Sequence, residues 1–149
     1  MIESSIVVTD PCGCSDPECN SQFAALTYAW QGPLWTVNQD CVDHRMKRAN
    51  RTKEMRRVFA AMAEGSPKLA TCNVTVHHYT RNRLRAGEDV PRADTGAVYT
   101  CAKACIDGIV DAGVLADDHS DVVRRITMEP PVLGDVEGIV IVLEGVIAC

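Results

Sequence analysis

Apolar positions along this chain follow two periods. Met55, Val58, Phe59 and Met62 recur at three- and four-residue spacings and predict a helix over 43–64. Gly65-Ser66-Pro67 stops it. A second stripe, Val98, Ala102, Cys105, Ile109 and Ala112, predicts a helix over 98–112. Lys103, Asp107 and Asp111 line up on its open face, and Gly113 takes the C′ position beyond its end. From Cys72 to Tyr79 the period is two. Val74, Val76 and His78 share one face and Thr75, His77 and Tyr79 the other, the pattern of a half-buried strand. Ala24–Trp30, Val122–Glu129 and Ile139–Val146 predict three more strands. Gln31-Gly32-Pro33 breaks the first of these, Asp117–Ser120 reads as a turn, and a loop around Pro130-Pro131 and Gly134 separates the last two. The polar, basic stretch Arg81–Arg92, with Gly87 and Pro91, reads as a mobile loop. The order β–α–β–α–β–β implies an α+β fold, a mixed β-sheet with helices packed on it.

Length and composition narrow this picture. A chain of 149 residues fits one domain around one core. Residues 1–22 stand apart as a Cys-rich N-terminal extension, ahead of a folded domain over 23–149. No apolar run approaches the roughly 20 residues needed to cross a bilayer, and the acidic N-terminus lacks the pattern of a secretory signal. A cytoplasmic protein is expected, with no membrane partner. Its eight cysteines are then reduced or metal-bound rather than paired in disulfides.

The net charge of −5 argues against a nucleic-acid partner, but its distribution does not. From Arg45 to Arg92 there are twelve Lys/Arg against four acids; from Asp94 to Glu144 there are ten acids against three bases. Such a split places a basic surface for phosphates beside an acidic patch for divalent cations. The bland alternative is that the charges mix once the chain folds. Asp94 precedes the second predicted helix and Asp117-Asp118 follow it. A 15-residue helix separates its ends by about 22 Å, so these acids meet only if Asp94 lies out on its loop and the chain folds back after Gly113, or if the helix is broken.

The stretch Asp94-Thr95-Gly96-Ala97, then Lys103-Ala104-Cys105-Ile106-Asp107-Gly108-Ile109-Val110-Asp111-Ala112-Gly113, then Asp117-Asp118, resembles the acidic core of RusA-type Holliday junction resolvases, especially those of actinobacterial phages. Glu129-Pro130-Pro131 resembles the family's proline-containing loop, and Gly32-Pro33-Leu34-Trp35-Thr36-Val37-Asn38 its early segment. The resemblance covers roughly residues 26–145. It implies a RusA-like homodimer in the cytoplasm of a bacterial host that binds branched, four-way DNA and resolves it by paired nicks. It also implies an aspartate cluster that holds Mg²⁺ or Mn²⁺. Asp94, Asp117, Asp118 and Lys103 take the catalytic positions, with Asp94 and Asp118 as metal ligands. For Lys103 the plain alternative is an exposed ion pair with Asp107, worth about 0.3–0.5 kcal/mol. Gly96 stands where the family has its second motif acid. Either another acid, Asp121 or Glu129, substitutes, or the protein binds DNA or a partner without efficient cutting.

Arg45, Lys47, Arg48, Arg51, Arg81, Arg83, Arg85 and Arg92 are the expected DNA phosphate contacts, with a steep salt dependence. Trp35 and Tyr79 serve base stacking or, more plainly, the core. The C-x-C-x₄-C run of Cys12, Cys14 and Cys19 is foreign to the family pattern. It suggests a Zn²⁺ knuckle completed by Cys41 or His44, or else a reduced loop, because this is not one of the common zinc spacings. A zinc-stabilised interaction module is the third function carried by the sequence.

Overall fold

The computed structural model describes residues 2–9, 22–81 and 94–148. The elements are β1 (Ile2–Thr9), β2 (Phe23–Gln31), α1 (Val37–Val42), α2 (Arg45–Ala63), β3 (Leu69–Arg81), α3 (Tyr99–Asp111), β4 (Val123–Met128), β5 (Val132–Gly134) and β6 (Gly138–Ile147). The expected α+β class is present: a six-stranded mixed sheet and three helices. Strand order is β1-β2-β6-β3-β4, with β5 also pairing β3. The neighbours from β1 to β3 are antiparallel, while β4 and β5 run parallel to β3.

Register builds the core. Across β2, β6 and β3, Tyr28 lies opposite Ile141 and Ile141 opposite Val76; Leu26, Leu143 and Val74 form the next row. All six side chains are buried. Met55, Phe59 and Ala63 of α2 and Cys101, Ala102, Cys105, Ile106 and Ile109 of α3 close over this face. Burying Phe59 completely contributes about 1.5–3 kcal/mol. Thr27, Thr75, His77 and Val142 alternate to the opposite face and are only half-buried. The last row is Trp30, Ile139 and His78. His78 is buried, and among the described residues neither ring nitrogen has a hydrogen-bond partner. Burial pushes its pKa down, which keeps the ring neutral.

The expected helices and strands recur within a few residues, but three elements were not anticipated. Residues 2–9, assigned to the N-terminal extension, form β1 and pair with β2 along the strand's length. Apolar Ile6, Val7 and Val8 follow Ser4 and Ser5 without alternation, because an edge strand lies outside the two-sided environment that imposes it. Helix α1 has six residues and none buried, too short for a periodic stripe; it is started by a capping box between Thr36 and Gln39. Strand β5 has three residues just after Pro130-Pro131. Cys12, Cys14 and Cys19, like Arg83, Arg85 and Arg92, lie outside the described residues. Among those described, no helix is long and apolar enough to cross a membrane.

Candidate metal and nucleic-acid site

The acidic half of the site depends on a chain reversal after α3. Gly113 adopts φ 81°, the left-handed region open to glycine, and its N–H donates to the Val110 carbonyl at 2.9 Å. Val114 and Leu115 then enter the core beside the start of β3, where the Leu69 N–H donates to the Val114 carbonyl at 2.8 Å. The chain runs back along the helix and delivers Asp118 to Lys103. The Lys103 ammonium donates to Asp107 at 2.6 Å and also to Asp118. The expected Lys103–Asp107 pair is therefore present, with Asp118 as a second partner. The Lys103 hydrogen bond holds the Asp118 carboxyl below its ordinary range. Burial works against the Lys103 charge, but the two carboxylates outweigh it and raise its pKa.

Asp117, Asp118 and His119 each offer a ligand atom, all within 4.8 Å of one another. Asp117 accepts from the Asp118 N–H at 2.7 Å through Oδ1, and its Oδ2 lies 3.4 Å from His119 Nε2. Carboxylate oxygens suit a hard divalent cation, and an imidazole nitrogen shifts the preference toward Mn²⁺ over Mg²⁺. Of the expected ligands, Asp118 alone is in this group; Asp117 was expected in a catalytic role, and His119 is a candidate ligand atom that sequence reasoning missed. His119 drew no attention because a single histidine in a polar turn carries no pattern. Asp94, the other expected ligand, is exposed; its backbone carbonyl accepts from the Ala97 N–H at 3.1 Å. Asp94 is not part of the Asp117–His119 group. Gly96 lies in the same turn, and a Cβ there would meet nothing within 4 Å.

The basic half is the first part of α2. Residues 45–54 include no buried side chain, so this polar segment projects from the core that Met55, Phe59 and Ala63 anchor. Its flank and α3 enclose a groove of about 870 Å³ lined by Arg45, Arg48, Lys53, Arg56, Arg57, Thr100, Asp40 and Asp111, among others. Among the described residues Arg45 and Lys53 have no ion pair. Arg48 donates to the Asp40 backbone carbonyl at 2.9 Å. Arg57 pairs with Glu54, three residues earlier. Arg56 makes a two-point contact with Asp111, 3.0 Å from Nε and 2.8 Å from Nη2. The hydrogen bonds that Arg56 donates to Asp111 raise the Arg56 pKa, with Asp107 adding a smaller attraction.

Two expected phosphate contacts are engaged elsewhere. Arg51 donates to both Asp40 and Asp43, and its guanidinium lies 5.1 Å from the centre of the Trp35 ring. It ties α1 to α2 rather than facing a ligand. Burial alone would raise the Asp40 pKa, but the nearby Thr100 hydroxyl and the Arg51 guanidinium that donates to it lower it. Trp35 is 5% exposed, which settles it in the core. Lys47 pairs with Asp43 at 3.1 Å. Arg81, at the end of β3, lines a separate groove with Asp135 and Glu137. Cys41 is exposed on α1, and His44 caps α2 by accepting from the Met46 N–H at 3.2 Å; neither joins a three-ligand group among the described residues.

One helix face joins the two halves. Thr100, Lys103, Asp107 and Asp111 fall within about a quarter turn around α3 at its 3.6-residue period. Thr100 and Asp111 line the groove, where Arg56 pairs with Asp111, and Asp118 contacts Lys103. No protein-family model matches the chain, and no curated protein matches it.

Proposed function

We propose that this protein is a divalent-cation-dependent endonuclease for branched DNA, of the RusA type. The observation that carries the reading is the shared face of α3, where a groove walled by Arg45, Arg48, Lys53, Arg56 and Arg57 adjoins the acids held around Lys103. A phosphodiester backbone seated on the cations would run toward Asp117, Asp118 and His119. Asp117, Asp118 and His119 would hold a divalent ion, which would supply water activation and charge neutralisation at the attacked phosphate. The protein's own contributions are positional. The α2 cations hold flanking phosphates, and Lys103 orients Asp118 and lies within reach of a phosphate oxygen. Two copies acting on a four-way junction would make the two nicks needed to resolve it.

A specific observation favours a second reading. Gly96 leaves the position of the second motif acid without a carboxylate, and Asp94 stands outside the three-ligand group. On that reading the protein binds junctions and cuts them poorly. Junction nicking measured with Mg²⁺ and with Mn²⁺ separates the two. The nuclease reading expects cutting, stronger in Mn²⁺, that disappears in Asp118→Asn while junction binding persists. Binding without cutting in either metal would overturn it in favour of the second reading.

A further inference from the structure

Among the described residues, Asp40 and Asp111 are the acids lining a groove that five cations also line, with Ala49, Thr52 and Thr100 between the charges. Asp40 has a structural task, since it anchors Arg51. Asp111 does not. Its carboxylate faces the fork of Arg56 through two hydrogen bonds, the arrangement by which a guanidinium also grips two oxygens of a phosphate. The side chains are 42% and 44% exposed, so an incoming phosphate reaches Arg56 from solvent. The helices do not need the pair to stay together. At Gly108 a Cβ would fall 2.4 Å from the Arg56 carbonyl oxygen and 3.0 Å from Phe59 Cβ, so α2 and α3 are already in backbone contact one turn away.

We propose that Asp111 is a built-in competitor for phosphate. It occupies Arg56 in the free protein, yields it when a polyanion enters the groove, and thereby sets the groove's affinity and salt dependence. The inference rests on the groove being the DNA seat. It goes further in assigning to one acid a role in restraining binding. When DNA enters, the Arg56–Asp111 contact is exchanged for an Arg56–phosphate contact, and the released carboxylate takes up a counterion from solution. No covalent bond changes.

The test is binding of a labelled DNA duplex across a salt series, for the full chain and for Asp111→Asn, which keeps the shape and removes the charge. The variant should bind roughly two- to fivefold more tightly at low salt, the scale of one removed exposed charge contact. The slope of log affinity against log salt should steepen by about 0.9, the equivalent of one more phosphate. Glu144→Gln makes the same net-charge change at an exposed position on β6, away from the groove, and should leave both values unchanged. In an Arg56→Gln background, Asp111→Asn should lose its effect. An equal gain from Glu144→Gln, or weaker binding by Asp111→Asn with an unchanged melting temperature, overturns the proposal. If the unaltered chain binds no DNA, the groove reading fails together with it; if it binds and Asp111→Asn changes nothing, only the competitor role fails.

Discussion

The contact at Gly108 gives the most direct test of how the site is held. Replacing Gly108 by alanine places a methyl group 2.4 Å from the Arg56 carbonyl oxygen, 3.0 Å from Phe59 Cβ and 3.1 Å from the Ala60 nitrogen. Ordinary van der Waals contact begins near 3.4 Å, so α2 and α3 must separate by about 1 Å. The obstacle is backbone on one side and a fully buried phenylalanine stem on the other, so no flexible side-chain end can swing away. Overpacking costs about 1–3 kcal/mol, and the backbone obstacle puts this position at the upper end, about 3 kcal/mol. Alanine's better helix propensity returns about 1 kcal/mol. The net is a loss of about 2 kcal/mol, or about 4–8 °C in Tm for a domain of this size. Urea unfolding and calorimetry read it directly. Gly96→Ala is the control, since nothing lies within 4 Å of the added carbon. The separation should also weaken DNA binding, because the groove is bounded by both helices. A Gly108→Ala protein as stable as the parent or more so would refute the close-packing argument.

Three further outcomes are expected. If the proposed nuclease reading holds, Gly96→Asp, a carboxylate added in an uncrowded turn, should raise Mn²⁺-dependent junction nicking by roughly tenfold, the scale on which a metal site responds to a supporting group; unchanged nicking rates would show that position 96 is remote from the ion. Arg51→Met keeps apolar contact with Trp35 but removes the donors to Asp40, and should lower stability by about 1 kcal/mol with protease cleavage appearing first near α1; an unchanged digestion pattern would contradict this role. His78 binds its proton less readily when folded than when unfolded, so its contribution to stability is complete above about pH 6.5 and declines as the pH falls below that. His78→Leu should flatten this part of the stability-against-pH curve and gain about 1 kcal/mol at neutral pH by removing an unpartnered buried group; a curve that keeps its slope would place the acid sensitivity elsewhere.

Much of the architecture is a direct reading of the residue pattern. The period-two run on β3 and the stripe on α3 survive intact because each element meets one apolar layer, so burial imposes the period. Elements that bury little escaped notice: β1 on the sheet edge, six-residue α1 and three-residue β5 are held by pairing and capping, which leave a weak trace in composition. The acids and bases could likewise be counted along the chain, but not matched. Asp40 and Asp43 lie 11 and 8 residues before Arg51, and Asp111 lies 55 beyond Arg56, separations at which sequence does not indicate contact. Arg51, a plausible phosphate contact by its neighbours in sequence, is turned inward by those acids.

The candidate acidic set could be named from the sequence: Asp94, Lys103, Asp117 and Asp118. Its assembly could not. By itself the sequence determined that a helix carries Lys103, Asp107 and Asp111 on one face and ends at a glycine able to reverse the chain. Only the tertiary structure decided that Val114 and Leu115 bury beside β3, that this draws Asp118 back to Lys103, and that Asp94 stays apart. The physical reason is that local periodicity sets which way a side chain faces along its own element. Which charges meet is set by the reversal, and the reversal is fixed by burying two apolar residues against a strand that begins more than 40 positions earlier.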